Sequence, residues 1–190
     1  MKYKRLFETY DYLTYKLTGN RLNNYKTNID LGAREGGFSD VCEQNNIYSK
    51  SVDLNPANDT VIRADLNDVN LSKLFKKSVG FITLNASIEH LINPVKLLLQ
   101  CNNLLDKKGL IFIRTPNWKI DWKNFYNDVS HVTPFTPFTM NHVLEQAGFK
   151  VLLVAPGYIK MPYWLYRIPF RYNIAKYIQT KSIVAIAMKL

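Results

Sequence analysis

Seven short runs of β-branched and aromatic residues alternate along this chain with stretches of helical period, and the first three carry an aspartate at their C-terminal ends. The runs are Asn28 to Leu31, Ile47 to Leu54, Thr60 to Ala64, Val79 to Asn85, Leu110 to Arg114, Phe149 to Ala155 and Lys181 to Lys189. Residues 3–17 repeat Leu6, Phe7, Tyr10, Leu13 and Leu17 at three- and four-residue spacing, the mark of an amphipathic helix. Phe38 to Gln44, Leu66 to Phe75 (capped near Asn67 or Asn70) and Phe138 to Ala147 read as further helices. Pro94 opens another, at a position where its missing N–H would have been unsatisfied anyway. Val95, Leu98, Leu99 and Leu105 supply its apolar face, and Lys107-Lys108-Gly109 ends it, with Gly109 free to take the left-handed cap. Strand and helix alternating at this spacing demand βαβ units, hence a parallel sheet with helices on both faces. Ligands of such sheets bind beyond the carboxyl ends of the strands. The loops after Asp30, Asp53, Ala64, Asn85 and Arg114 are therefore where chemistry is expected.

Composition narrows the choice. The 190 residues, 47% hydrophobic, suffice for one domain with a packed core. Cys42 and Cys101 are too few for a disulfide scaffold, and both fall in helical stretches, so buried thiols in a reducing compartment are expected. Met1 to Tyr15 lacks the apolar stretch of a signal peptide. The longest apolar run, Ile183 to Met188, is far short of the roughly 20 residues a spanning helix needs. A cytoplasmic protein, at most peripheral at a membrane, is the expectation. The net charge of +10 suggests an anionic partner (nucleic acid, a phosphorylated metabolite or a membrane surface), or reflects only a lysine-rich composition. No acidic residue follows Glu145, and residues 158–176 mix Tyr158, Tyr163, Trp164, Tyr166 and Phe170 with Lys160, Arg167, Arg171 and Lys176. That mixture suits an anionic membrane interface. It also suits stacking on single-stranded nucleic acid, which is the weaker fit, and packing on the core is the structural alternative.

The first loop, Asp30-Leu31-Gly32-Ala33-Arg34-Glu35-Gly36-Gly37, joins a strand to a helix, as a nucleotide-binding turn requires. Gly32 permits a sharp turn and Gly36 a close approach of a ligand to the backbone. Asp53 ends the next strand, where a carboxylate accepts both hydroxyls of a ribose; a turn cap before Asn55-Pro56 is the other reading. Asp65 follows the third strand, placed for an adenine amino group or for a helix N-cap. Three carboxylates in order, at the tips of successive strands, argue more strongly than any one.

These residues resemble the class I S-adenosylmethionine-dependent methyltransferases of the small-molecule and glycan-cluster type. Ala86-Ser87-Ile88-Glu89-His90-Leu91, Asn93-Pro94-Val95, Thr115-Pro116-Asn117, His131-Val132-Thr133-Pro134-Phe135-Thr136 and Ala147-Gly148-Phe149 continue the likeness over residues 28 to about 152. The resemblance implies an α/β, Rossmann-like, doubly wound, seven-stranded and mostly parallel sheet with an antiparallel last strand. It implies one domain over 1–190: an N-terminal helical segment (1–27), a cofactor-binding core (28–155), a basic aromatic excursion (156–181) and the last strand (182–190). S-adenosyl-L-methionine is the implied cofactor, held by Asp30, Gly32, Gly36, Asp53, Asp65, Leu66 and Asn85. His90, Asn117 and Trp118 are the implied substrate contacts and His131 the catalytic base; the Glu89-His90 pair could orient substrate or bind a metal, but two ligands make a weak case and no metal is expected. The chain departs from the family pattern at Arg34, where a second glycine is usual, and at Gly80, where an aspartate is usual.

The reaction implied is methyl transfer to a small-molecule, sugar or lipid-linked glycan acceptor. An RNA methyltransferase is the alternative raised by the charge, although the fourth strand ends in Asn85-Ala86-Ser87-Ile88 and not in the tetrapeptide of amino-directed enzymes. A non-catalytic binding module is the alternative raised by Arg34.

Overall fold

The computed structural model describes residues 2–156 and 181–190. Seven strands form one sheet: β1 (Thr27–Leu31), β2 (Tyr48–Asp53), β3 (Val61–Arg63), β4 (Val79–Asn85), β5 (Leu105–Pro116), β6 (Phe149–Pro156) and β7 (Ser182–Lys189). Their spatial order is β3-β2-β1-β4-β5-β7-β6, and β7 runs antiparallel to both of its neighbours. The order reverses between β1 and β4, so a crevice opens at the carboxyl ends of those two strands. The helices are α1 (Lys2–Thr18), α2 (Gly37–Gln44), α3 (Leu71–Leu74), α4 (Pro94–Leu104), α5 (Trp118–Phe125) and α6 (Pro137–Gln146). Among the described residues no helix is long and apolar enough to cross a membrane. The segment 158–176, expected to meet a membrane or nucleic acid, lies outside the described residues.

The two-residue period of the strands divides the core. On β5, Leu110 and Phe112 join a cluster with Leu6, Phe7 and Tyr10 of α1 and Phe38 of α2. Ile111 and Ile113 point the other way, toward Leu97 and Leu98 of α4 and Met140 and Leu144 of α6. Each wholly buried leucine or phenylalanine contributes about 1.5–3 kcal/mol, so both helical layers are needed to hold the sheet. Cys42 and Cys101 are free and fully buried, one in each layer.

Five local features differ from the sequence expectation. The helix expected over 66–75 shrinks to α3, because Asp65 organises a turn and Asn70 supplies the cap by accepting from Lys73 N. Leu99 is 46% exposed, and α4 buries Leu97, Leu98, Cys101 and Leu104 instead. The chain leaves α4 at Leu104 and is already extended at Leu105, which pairs with Val79 across an irregular step. Lys108, not Gly109, takes the left-handed backbone; a Cβ at Gly109 would lie 2.8 Å from Asp106 O. Finally, the stretch after Asn117 contains α5 within what reads as loop, a kinked helix that buries only Phe125.

The departure at Gly80 has a steric cause. A Cβ there would lie 2.0 Å from the carbonyl oxygen of Tyr25, so the strand passes too close to the preceding turn for any side chain.

Candidate active site

The glycine loop is shaped from beneath. Gly32 (φ +79°) turns the chain where a Cβ would meet Ser87 Cβ at 2.3 Å, so any other residue here is strained twice over. Its N–H and that of Ala33 both donate to Val52 O, tying the loop to β2. Gly36 is buried against Val61 and Ser51 in left-handed backbone, so its missing side chain serves packing against β2 as well as the turn. Arg34 also adopts positive φ, +48°, and its side chain is exposed.

A buried polar layer lies under this loop and was not foreseen. Ser49 Oγ donates to Asn28 Oδ1 and lies 2.8 Å from Ser39 Oγ, whose hydroxyl is in turn 2.6 Å from that of Ser51. Above it stands Asp30, 3% exposed, which accepts from Thr83 Oγ1 at 2.7 Å and, more weakly, from Asn85 Nδ2 at 3.5 Å. Burial pushes its carboxyl up to about 6; the Thr83 and Asn85 hydrogen bonds oppose that rise and the nearby Asp53 charge adds to it. Asn85 is in turn held by Tyr10, whose hydroxyl donates to Asn85 Oδ1 at 2.6 Å. Tyr10 is wholly buried and stacks on Phe112, so α1 reaches across the sheet face to fix a group at the crevice.

The other expected cofactor residues fall along the same rim. Half-buried Asp53 accepts from Arg34 N and Asn55 N, one N–H on each carboxylate oxygen. Each oxygen keeps a further lone pair, which is the acceptor set two vicinal hydroxyls require. Asp65 accepts from the backbone and side-chain nitrogens of Asn67, and Leu66 packs into the core at its side. Asp65, Asp53, Asp30 and Asn85 thus stand on or just beyond β3, β2, β1 and β4, four neighbouring strands in spatial order.

Beyond Asn85 the rim changes character. A cavity of about 200 Å³ is lined by Ala86, Arg114, Thr115, Pro116, Asp121 and Lys181 among others. Arg114 Nε is buried there without a hydrogen-bond partner among the described residues, and Lys181 Nζ lies 2.9 Å from Asp121 Oδ1. Thr115 also donates to Glu89 Oε2 at 2.9 Å. Glu89 is wholly buried, and its other oxygen, Oε1, has no hydrogen-bond partner among the described residues. Burial raises the carboxyl of Glu89, while a backbone bond, the Thr115 hydroxyl and the adjacent histidines hold it down.

The chain after α5 folds back on this point. Val132 N and Thr133 N both donate to Glu89 O, which brings His131 beside His90, ring centres 4.8 Å apart. His131 Nδ1 donates to Phe125 O at 2.7 Å, and His90 Nδ1 lies 3.1 Å from Ser130 O. A ring nitrogen facing a carbonyl carries the proton, so in both neutral rings Nε2 holds the lone pair. Asn117 is buried with Oδ1 unpartnered, and Trp118 beside it is 39% exposed. His142, on α6, is exposed and pairs with Gln146 on the surface. Sequence reading missed Tyr10, Arg114 and Thr115 as site residues, and it paired Glu89 with His90 without bringing His131 to them; the alternation of β4 and β5 is the signal that aims Asn85 toward α1.

A family model described as a methyltransferase domain matches residues 4–154. The chain belongs to that family. It is thus, by family, an S-adenosylmethionine-dependent methyltransferase, and the strand order and antiparallel β7 are those of the fold. Among solved structures it is similar to a SAM-dependent methyltransferase from Archaeoglobus fulgidus (22% identity, TM-score 0.65, covering 95% of this chain and 99% of that one). It is also similar to the plantazolicin methyltransferase BamL, solved with a triazolic desmethylPZN analogue and SAH (13%, 0.72, 98% and 84%). A third is a Haloferax volcanii putative methyltransferase in complex with the Trm112 activator (14%, 0.66, 98% and 93%). No curated protein matches the sequence.

Proposed function

We propose that this methyltransferase transfers the methyl group of S-adenosylmethionine to an oxygen of a small-molecule acceptor, such as a sugar, seated in the cavity beyond Asn85. The rim supports this reading. Its β1–β3 half presents carboxylates, and its β4–β5–β7 half presents a cavity of about 200 Å³ with Arg114, Thr115 and Lys181 on its walls. A cavity of that size accommodates a single ring.

The residues present fit the cofactor. Gly32, whose missing side chain lets Ser87 pack directly beneath it, holds the turn at the tip of β1 where the cofactor would lie. In this reading Asp53 accepts the ribose hydroxyls, Asp65 with Leu66 borders the base, and Asp30 and Asn85 face the methionine end. When bound, the cofactor supplies an electrophilic methyl whose carbon–sulfur bond breaks with the electron pair going to sulfur. Because the leaving group is already good, the protein's contribution is alignment and exclusion of water. Tyr10 fixes Asn85, so the group nearest the switch point is held from α1 and does not depend on the ligand for its orientation. The Glu89–His90–His131 cluster activates the acceptor, with His131 acting through its Nε2 lone pair. Arg114 and Lys181 favour an acceptor with an anionic substituent.

The test is transfer of labelled methyl from S-adenosylmethionine to a panel of sugars and other small hydroxyl compounds, beside a thermal-shift titration. The cofactor is expected to raise the melting temperature in the wild type and not in Asp53→Ala. No rise at millimolar cofactor, or an equal rise in the variant, overturns the reading.

A further inference from the structure

The Glu89–His90–His131 cluster contains acceptors and lacks a donor. One ligating atom from each residue lies within 4.8 Å of the others. Thr115 satisfies Glu89 Oε2, but Oε1 is buried with nothing to receive from. The two imidazoles spend their Nδ1 protons on Phe125 O and on Ser130, whose own hydroxyl donates to Asp128. Their remaining nitrogens are lone pairs. The nearest opposing charge to His131 Nε2 is Asp128 Oδ2 at 3.9 Å, outside hydrogen-bond reach. A wholly buried, half-satisfied carboxylate is costly, and facing it with lone pairs does not relieve it. A cation does.

We propose that Glu89, His90 and His131 form a divalent transition-metal site, two imidazoles and one carboxylate, at the acceptor side of the crevice. The ring orientations are those of metal-binding histidines, which donate their other N–H to a carbonyl and so fix the tautomer. Thr115 plays the same part for the carboxylate, since its hydroxyl holds Oε2. The donor set selects Zn²⁺ or Fe²⁺ over Mg²⁺ or Ca²⁺, which take oxygen ligands. Ligands at about 2.1 Å from a tetrahedral centre stand about 3.4 Å apart, so the three side chains close up by about 1 Å on binding. Three protein ligands leave a position open. Thr115 holds Glu89 and lines the cavity, whereas none of the three ligands lines it, so an acceptor oxygen reaches that position only past Thr115. That last role rests on the methyl-transfer reading; with Nε2 on the metal, His131 offers no free lone pair as a base, and the metal-held position activates the acceptor in its place.

The experiment is calorimetric titration of the chelator-treated full chain with Zn²⁺ alone, then with Mg²⁺. One Zn²⁺ per chain is expected. Binding should weaken at least about a hundredfold in His90→Ala and in His131→Ala, and stay within about twofold in the surface variant His142→Ala. The cofactor-induced thermal shift should persist in the two cluster variants, which shows that they fold. No saturable Zn²⁺ binding by the wild type, equal losses in His131→Ala and His142→Ala, or Mg²⁺ binding as tight as Zn²⁺ would each overturn the site. Absence of the cofactor shift in the wild type would instead overturn methyl transfer and leave the metal titration standing.

Discussion

The two halves of the strand-tip rim solve different problems with opposite chemistry. From β3 to β1 the chain sets carboxylates at successive strand ends and locks them with backbone N–H groups, Asn67 N on Asp65 and Arg34 N with Asn55 N on Asp53. From β4 to β7 it sets Arg114, Lys181 and the paired histidines, and leaves Arg114 Nε and Glu89 Oε1 without hydrogen bonds. The first half is finished before any ligand arrives, the second half is not. Buried polar groups are nearly always satisfied in native proteins. Of the four buried side-chain atoms without a partner among the described residues, Glu89 Oε1, Arg114 Nε and Asn117 Oδ1 lie on this half and Asn102 Nδ2 lies apart on α4, so three of the four mark where a partner is still to come. A fixed cofactor site beside an unfinished acceptor site is what methyl transfer requires, since the donor is constant and the acceptor sets specificity.

If the halves are functionally separate, substitutions should separate too. His131→Ala is expected to lower kcat about a thousandfold while leaving cofactor affinity within about twofold, measured by single-turnover kinetics beside cofactor titration. A large loss of cofactor affinity would show that the halves are one site. Asp53→Ala should do the reverse, weakening the cofactor about a hundredfold through loss of two hydrogen bonds to a charged group, with Zn²⁺ binding unchanged.

The parts of this division that were legible in the sequence are those written in local code. Aspartates at the ends of β-branched runs and glycines at sharp turns mark strand tips whatever the tertiary context, so Asp30, Gly32, Asp53 and Asp65 could be placed along the rim. The polar layer of Asn28, Ser39, Ser49 and Ser51 was illegible, because polar residues alternating in a strand read as solvent-facing when they in fact face one another beneath α2. The same limit hid α5, whose Trp118–Phe125 segment buries one residue and so leaves no apolar period to detect. It also hid the Glu89–His131 meeting, which depends on two backbone bonds spanning more than forty residues. The contact of Tyr10 with Asn85 is a third instance: α1 was foreseen, but not that its most buried residue would carry a polar end to the crevice.

The finished half also carries a cost that pH should expose. Asp30 titrates near 6 in the fold against an ordinary value of 3.8. Between those values the folded state binds the extra proton, so stability falls as pH rises through this window and stays lower above it. The cost at neutral pH is about 3 kcal/mol as an upper figure. Asp30→Asn keeps the acceptor for Thr83 and Asn85 and removes the charge. Urea denaturation should find the variant about 2 kcal/mol more stable than wild type at pH 8 and nearly equal at pH 4, with cofactor binding impaired. A variant that is equally or less stable at pH 8 would mean that Asp30 is better solvated than its burial implies.

The smallest effect tests whether α1 belongs to the site at all. Tyr10→Phe preserves the stacking on Phe112 and removes only the hydroxyl that donates to Asn85 Oδ1. Losing one neutral hydrogen bond costs about 1 kcal/mol, but the acceptor left behind is on a half-buried amide at the crevice, so part of that loss should reappear as cofactor affinity. The expected result is a drop in stability of about 1 kcal/mol with cofactor binding about fivefold weaker, because an untethered Asn85 rotates away from Asp30. If stability falls and affinity does not, Tyr10 is only a core residue with a convenient partner. If affinity falls and stability does not, Asn85 finds water in the free protein, and α1 acts on the site solely by orienting that amide for the ligand. In either case the wild-type comparison should be made at pH 8, where Asp30 is charged and its weak bond from Asn85 Nδ2 is strongest.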